Sequence, residues 1–265
     1  MKFDTSKIKL SIYDIKRGLK LPKESSKELA EFIGILAGDG HVSFATSRNI
    51  ISVSGDAILD FSYLHNYVKP LIQSLFNISV DVIRRADQNV ALIIFSSKGL
   101  FEFLKLTEYY KHNSKNINIP SWIVNDENNF LSFIKGVADT DFSLMLYRNR
   151  KLYPHYPIIS LTSCDENLII SLSNFLSNVG FNVNYKTNIK EFDKRFNKNW
   201  CKNRLKLSGR QNLDLWMNLI NFRNKRHLNK YQEYLDSGKI IKNRGRPPKN
   251  INKFKKIKKS GNGEI

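Results

Sequence analysis

One helical pattern occurs twice in this chain, 102 residues apart. The segments KELAEFIGILAGDGHVSF and NFLSFIKGVADTDFSLML align so that Gly34 matches Gly136 and Asp39 matches Asp141. Apolar residues recur three and four positions apart in both copies, which predicts an amphipathic helix in each: Leu29, Phe32, Ile35 and Leu36 in the first, and Leu131, Ile134, Val137 and Ala138 in the second. A duplication of this length specifies two similar units.

The same order of elements is predicted after each helix. Hydrophobic alternation and helical spacing after Asp39 predict strands at His41 to Thr46 and Ile50 to Ser54, a helix at Ala57 to Leu75, strands at Ile78 to Arg84 and Val90 to Phe95, and a helix at Lys98 to Leu106. After Asp141 they predict strands at Ser143 to Asn149 and Ile158 to Thr162, a helix at Glu166 to Val179, strands at Asn182 to Thr187 and Arg204 to Leu207, and a helix at Asn212 to Asn221. The predicted fold class is therefore α+β, with two pseudo-symmetric αββαββα subdomains.

This pattern divides the chain into five predicted segments. Residues 1–27 form an N-terminal arm, residues 28–107 and 127–235 form the two repeats, and residues 236–265 form a basic tail that we expect to be disordered. Residues 108–126 are predicted to be a linker, because they are polar and contain Pro120. Within the linker we expect a short ordered stretch from Ile119 to Val124.

The net charge of the chain is +19, and the isoelectric point is about 9.8. Lys239 to Ile265 contain ten Lys or Arg residues and a single acidic one, so the tail and the remainder are both basic. Such a surplus indicates a polyanionic partner, most often nucleic acid. The alternative is that the charge serves solubility, or reflects lysine codons in an A+T-rich genome.

The two cysteines, Cys164 and Cys201, form no CxxC or Cys/His pattern, which argues against a thiolate metal site or a disulfide framework. A reducing compartment is expected. The apolar runs are short, and the first twenty residues lack the apolar core and cleavage site of a signal peptide. We therefore expect no membrane partner and an intracellular protein, in the cytoplasm or nucleoid of a prokaryote or in an organelle matrix.

Two carboxylates are predicted to meet at the ends of the duplicated helices. Small residues four apart, Gly34 with Gly38 and Gly136 with Thr140, would let the two helices cross closely. The crossing would bring Asp39 and Asp141 together, where two helix C-termini and two carboxylates repel each other. A divalent cation would relieve this repulsion, and oxygen ligands suit Mg²⁺.

A simpler interpretation of the first copy is a helix end with Gly40 as the residue after the cap and Asp39 as a solvated neighbour. The second copy has Phe142 in place of Gly40, so the shared feature is the aspartate. This difference favours a catalytic role for the aspartates over a helix-capping role for the glycine. Asp139 has Ala37 as its counterpart, and we expect it to be structural or exposed.

The motifs FIGILAGDG (residues 32–40) and IKGVADTDF (residues 134–142) resemble those of the monomeric, two-motif LAGLIDADG homing endonucleases. The resemblance covers about residues 20 to 235, and GLKLP, INIPSWI and NFRNKRHLNK support it. It implies a monomer in which the two motif helices form the interface of the subdomains and saddle-shaped antiparallel sheets lie in the major groove of DNA. It also implies that Asp39 and Asp141 are catalytic and bind Mg²⁺, for which Mn²⁺ can substitute, together with the backbone carbonyls of Gly38 and Thr140.

Such enzymes cut both DNA strands across the minor groove, leave short 3′ overhangs at a long site, and are encoded in mobile introns. Relatives often carry Lys or Gln near the metal ions, whereas the nearest basic residues here are Lys98 and Lys206. Retention of both aspartates favours the nuclease. The missing basic residues favour the alternative, an RNA maturase that binds intron RNA or a DNA-binding protein with impaired cleavage.

Cationic side chains on the predicted strands and hairpins are the candidates for DNA binding. Besides Lys98, they are Arg48, Arg84, Arg85, Arg148, Arg150, Lys151, Lys186, Lys190, Lys202, Arg204 and Lys206. In the tail, Arg244 and Arg246 with Gly245 and Pro247 resemble an AT-hook, which inserts Arg into a narrow A·T minor groove. The alternative for the tail is sequence-independent attraction to DNA.

Overall fold

The computed structural model describes residues 1–43, 49–111, 117–147, 155–193 and 197–236. The chain divides into two compact units. The first comprises Met1–Phe142 and Ile220–Asn229, and the second comprises Ser143–Leu219 and the chain from Lys230 onward. Both motif helices therefore belong to the first unit. The segment boundaries at residues 27, 107, 126 and 235 stay predictions.

The first unit contains the first repeat, the linker and the second motif helix. Its elements are α1 (Ile12–Lys16), α2 (Lys27–Ala37), β1 (Gly40–Val42), β2 (Ile50–Asp56), α3 (Phe61–Tyr63), a π-helical turn (Leu64–Val68), α4 (Lys69–Phe76), β3 (Val82–Arg85), β4 (Val90–Ser96), α5 (Lys98–Leu106), β5 (Tyr110–Lys111), β6 (Ile117–Asn118), α6 (Ser121–Val124) and α7 (Glu127–Thr140). Four strands form an antiparallel sheet in the order β1-β2-β4-β3. The short helix α6 confirms the ordered stretch expected at Ile119 to Val124.

The sheet of the first unit has one buried and one open face, because side chains alternate along each strand. Ile51 and Val53 on β2, with Ala91 and Ile93 on β4, are almost fully buried. They lie on the core side with Phe32, Phe76 and Phe103, whose rings make edge contacts. Burial of these side chains supplies most of the driving force for forming the unit.

Asp14 fixes the N-terminal segment to α5. Its buried carboxylate accepts hydrogen bonds from the Ser97 hydroxyl (2.8 Å) and the Gly99 amide (3.0 Å), and it pairs with Arg17 (2.8 Å). Burial alone would raise the pKa of Asp14, but these hydrogen bonds and those from Ser11 hold it below its ordinary value.

The second unit repeats the topology of the first. Its elements are β7 (Ser143–Tyr147), β8 (Tyr156–Ser163), α8 (Glu166–Asn178), β9 (Val183–Asp193), β10 (Lys198–Ser208) and α9 (Arg210–Leu219). The strand order β7-β8-β10-β9 matches β1-β2-β4-β3. Leu144, Ile159, Leu161, Leu205, Leu207 and Trp216 form its core. The predicted α+β class with two antiparallel sheets is confirmed.

Several elements differ from their predicted bounds, and strand β3 begins at Val82 instead of the predicted Ile78. Strand β9 continues to Asp193, beyond its predicted end at Thr187, and strand β10 begins at Lys198, before its predicted start at Arg204. Backbone pairing continues here through a polar sequence that shows no hydrophobic alternation. The helical segment predicted from Ala57 begins at Phe61, since the Asp56 carboxylate accepts the amides of Ile58 and Leu59 (both 2.8 Å) in a turn. Helix α10 (Lys225–Asp236) was not predicted.

Across the described ranges, every helix is too short or too polar to traverse a lipid bilayer.

Candidate active site

Helices α2 and α7 cross with their backbones in direct contact. A Cβ atom built on Gly34 would lie 2.0 Å from the carbonyl oxygen of Phe133, and one built on Gly136 would lie 2.2 Å from the carbonyl oxygen of Glu31. The Cα of Gly136 is 3.1 Å from the same Gly34 position. Only glycine fits on either side of this crossing. The predicted packing of the two motif helices is confirmed.

The crossing brings the two motif ends together. A Cβ on Gly38 would lie 2.0 Å from the Thr140 hydroxyl and 3.4 Å from the carboxyl carbon of Asp141. Because Asp39 directly follows Gly38, both aspartates belong to one small region of the first unit. Asp39 and Asp141 are each half-buried, so both residues are partly packed against the protein and partly exposed to solvent.

The two helices end differently. Helix α2 stops at Ala37, and the cap residue Gly38 leaves the helical region with ψ −101°. Helix α7 continues to Thr140, whose hydroxyl donates to the carbonyl of Gly136 (3.0 Å). Gly40 lies against Leu36, where a Cβ would approach the Leu36 Cα to 2.4 Å, whereas Phe142 is buried after the longer helix. The extra helical residue therefore lets Phe142 replace the glycine.

The paired motif ends fit a hard divalent cation. Two carboxylates and nearby carbonyl oxygens are donors that Mg²⁺ accepts, and Mg²⁺ commonly uses one or two carboxylates with water and phosphate oxygens. Each aspartate stands at a helix C-terminus, where the macrodipole adds negative charge. Within the described residues no group of three or more His, Cys, Asp or Glu side chains could hold a metal, and the motif ends supply two carboxylates, Asp39 and Asp141.

Arg226 binds the carbonyl groups at the end of α7. Its guanidinium donates to the carbonyl oxygens of Asp139 (3.1 Å) and Thr140 (2.5 Å) and to the Asp60 carboxylate (3.1 Å). Asn224 joins the same cluster by donating from its side-chain amide to Asp60 (2.6 Å). The Thr140 carbonyl, one of the implied metal ligands, is therefore already hydrogen-bonded to a cation.

Asp139 is buried beside this cluster. One carboxylate oxygen accepts the backbone amides of Arg223 (2.8 Å) and Asn224 (2.9 Å). Burial raises the pKa of Asp139 to about 7, despite the opposing effect of these two amides. Of the two roles expected for Asp139, the structure supports the structural one.

Glu31 of α2 and Arg223 form a second ion pair. The Arg223 guanidinium donates to both carboxylate oxygens of Glu31 (2.9 and 3.2 Å) and lies 4.4 Å from the centre of the Tyr67 ring. The Tyr67 hydroxyl also donates to Glu31 (2.6 Å). Burial and the nearby Glu31 charge raise the pKa of Tyr67, so this hydroxyl stays protonated.

Sequence reasoning missed these residues. The chain segment with Arg223, Asn224 and Arg226 contributed only to the family resemblance, through NFRNKRHLNK. The available signal was Glu31, the one charged residue within the apolar run from Leu29 to Ala37, since a buried carboxylate needs a partner. Nothing in the sequence indicates which cation supplies it.

The predicted DNA-binding residues of the first unit occupy different faces. Arg85 lies on the open face of its sheet, opposite Val90. Arg84 points to the helix side, where its guanidinium is 3.6 Å from the centre of the Phe61 ring. Lys98 is exposed as the first residue of α5.

In the second unit, Lys186, Arg204 and Lys206 share the open face of the sheet: Arg204 pairs with Lys186, and Lys206 with Asn184. Lys190 is exposed opposite Cys201, and Lys202 forms an ion pair with Glu191 (3.2 Å). The remaining candidates lie outside the described residues: Arg48, Arg148, Arg150, Lys151, Arg244 and Arg246.

No family model matches the sequence. An uncharacterized protein from Methanocaldococcus jannaschii is 26% identical over 167 residues, which are 61% of this chain; the chain spans 58% of that relative's length.

Solved structures that are similar in fold include the following two. A variant of the homing endonuclease I-DmoI, in complex with its target DNA nicked in the coding strand and in the presence of Mn, aligns with TM-score 0.50 at 14% identity, over 76% of this chain and 99% of that one. Full-length DUF199/WhiA from Thermatoga maritima aligns with TM-score 0.51 at 15% identity, over 91% of this chain and 69% of that one. At these identities the likeness concerns the fold alone. With two motif helices crossing at glycine and two sheets of matching order, the chain has the LAGLIDADG fold.

Proposed function

We propose that this chain is a site-specific double-strand DNA endonuclease that acts as a monomer and hydrolyses phosphodiesters across the minor groove with Mg²⁺. The observation that carries the proposal is the meeting of the two motif ends, where the Asp141 carboxyl group packs against the position that precedes Asp39. The helix dipoles and the charges of the two carboxylates both oppose this placement, and a bound divalent cation would offset both.

Asp39 and Asp141 would hold the metal, with the Gly38 carbonyl as a further donor. A bound divalent ion would lower the pKa of an attacking water and stabilise negative charge on the scissile phosphate. The protein fixes the spacing of the two carboxylates through the backbone contact of α2 with α7. The hydrogen bond from the Ser54 amide to the Asp39 carbonyl (3.2 Å) orients the first aspartate against β2.

Several observations support duplex DNA as the partner. The net charge is +19, and Arg85, Lys186, Arg204 and Lys206 lie on open sheet faces. The I-DmoI variant of the same fold was solved with its target DNA and Mn, which supports both the ligand class and Mn²⁺ as a substitute metal. An origin in a mobile intron remains part of the proposal through the resemblance of the two motifs.

A second candidate is a protein of this fold that binds DNA without cutting it. The hydrogen bond from Arg226 to the Thr140 carbonyl favours this function, because a metal ion on the same oxygen would lie beside a fixed positive charge. A carbonyl oxygen has two lone pairs, so the contact weakens this ligand without excluding it.

The deciding experiment uses a randomised duplex library. The full chain is incubated with the library and Mg²⁺ or Mn²⁺, the cut ends are sequenced, and Asp39→Asn and Asp141→Asn are run in parallel. Asp87→Asn is the matched control, because it removes an exposed carboxylate far from the motif ends in sequence. We expect cuts with short 3′ overhangs at one long motif, lost in both motif variants and kept in the control.

Two other outcomes would contradict the nuclease. Enrichment of a bound motif without any cleavage in either metal would support the DNA-binding candidate. In a parallel binding assay with structured RNA, a preference for the RNA over the duplexes would instead support the maturase that the sequence left open.

A further inference from the structure

The open faces of the two sheets differ in chemistry. On the first sheet, the β-pairing aligns Ser54, Leu92 and Ile83 in one row, and His41, Ser52 and Ile94 in the next. Ile83 and Ile94 are 47% and 40% exposed, which is unusual for isoleucine on paired strands. Leu92 lies between them, so the centre of this open face is an aliphatic patch.

The second sheet presents cations at equivalent positions. One row consists of Thr162, Arg204 and Lys186, and the next of Ser160, Lys206 and Asn184. Beneath them, Leu161 and Leu205 are fully buried, which fixes the opposite side chains on the open face. The same topology therefore displays aliphatic groups in one unit and cationic groups in the other.

These chemistries match different base edges in the major groove. Thymine carries the C5 methyl group that apolar side chains contact, whereas guanine presents the N7 and O6 acceptors that Arg and Lys recognise. This inference rests on the proposed DNA binding: we propose that the two sheets recognise different bases. The first sheet selects thymines through Ile83, Leu92 and Ile94, and the second sheet selects guanines through Arg204 and Lys206.

Duplex DNA fits the aliphatic patch better than a protein partner does. The patch is flanked by the hydroxyls of Ser52 and Ser54, which can hydrogen-bond to any base edge, and by the guanidinium of Arg85 on the same open face. A chain of net charge +19 opposes docking of a second copy by electrostatic repulsion, whereas it attracts a polyanion.

The test measures binding and not cleavage. The Asp39→Asn/Asp141→Asn double variant of the full chain selects a target from the randomised library, and thymines are then replaced by uracil in one half of that target at a time. Uracil differs from thymine only by the missing methyl group. We expect a rise in Kd of about fourfold per contacted methyl in one half and little change in the other.

Protein variants assign the halves to the sheets. Ile83→Thr and Ile94→Thr keep a β-branched side chain but remove aliphatic carbon atoms from the patch, so each should reduce the sensitivity to uracil. Ile58→Thr is the matched control, because Ile58 is an exposed isoleucine of the same unit that lies outside the sheet. Arg204→Gln should relax selection for guanine in the opposite half while leaving the uracil effect unchanged.

The outcomes separate the inference from the proposed function. A selected motif whose affinity is unaffected by uracil in either half overturns the thymine contact and leaves DNA binding intact. If no duplex is selected, DNA binding and this inference fail together. Concentration-dependent dimerisation that Ile83→Thr abolishes would assign the patch to an interface between copies and overturn the inference.

Discussion

Arg226 donates a hydrogen bond to the backbone carbonyl of Thr140, the residue immediately before Asp141. The same guanidinium binds Asp60, so a residue more than eighty positions later in the chain caps the second motif helix and connects it to α3. A cation at this end offsets the negative helix dipole next to Asp141. It thereby stabilises the position of the second aspartate.

Replacing Arg226 with Ala should lower the free energy of unfolding by about 3 kcal/mol, because Asp60 would stay buried without its ion pair. Arg226→Lys should recover only part of this loss, since an ammonium group cannot reach three acceptors in a planar fork. Urea unfolding measures both values. Lys225→Ala removes a neighbouring exposed charge and should change stability by less than about 0.5 kcal/mol. Equal effects at the two positions would contradict the capping role.

Gly136→Ala tests the helix crossing. The added methyl group would overlap the Glu31 carbonyl, so we expect destabilisation by about 3 kcal/mol, the upper part of the range for overpacking. Without a close crossing, the higher helix propensity of Ala would stabilise the protein by about 1 kcal/mol. The sign of the change in the free energy of unfolding therefore shows whether the two helices cross closely at Gly136. Asn128→Ala, at an exposed position of α7, gives the baseline in the same unfolding measurement.

Asp139 should make stability depend on pH. Its pKa is about 7 in the folded chain and near 3.8 in the unfolded chain, so between these values the folded state holds the additional proton. The free energy of unfolding should therefore fall as pH rises from about 4 to about 7 and then level off. Asp139→Asn should lack this contribution.

The comparison uses unfolding curves of both proteins from pH 5 to 8, above the range in which Asp14 titrates. Because each other titrating group is common to the two proteins, the difference between the curves isolates Asp139. A difference that does not vary with pH would show that Asp139 is ionised throughout this range.

Truncation after Asp236 should weaken DNA binding without moving the cut positions. The removed segment carries ten basic residues and one acidic residue, so the dependence of log Kd on log salt should become shallower by several units. Binding to targets flanked by A·T or by G·C pairs separates the two hypotheses for the tail. An AT-hook predicts a greater loss of affinity with A·T flanks, whereas sequence-independent attraction predicts equal losses.

Local patterns were sufficient for much of this fold. The spacing of apolar residues predicted both motif helices, and the small residues Gly34 and Gly136 predicted their close crossing, because only residues without bulk allow backbones to touch. Alternation predicted the buried centres of the strands. It failed in the β9–β10 hairpin, where polar residues continue the pairing without a hydrophobic face.

The sequence by itself determined the duplication, the succession of helices and strands along each repeat, and the two aspartates that follow the motif helices. Only the tertiary structure decided which side chains contact the motif helices and which face of the sheet a given strand residue occupies. Arg226 reaches Thr140, Arg223 reaches Glu31, and Arg84 faces a phenylalanine ring in place of the open sheet face. Helical and strand periodicity are local properties of consecutive residues, whereas these contacts join positions up to 192 residues apart and depend on how the folded chain brings them together.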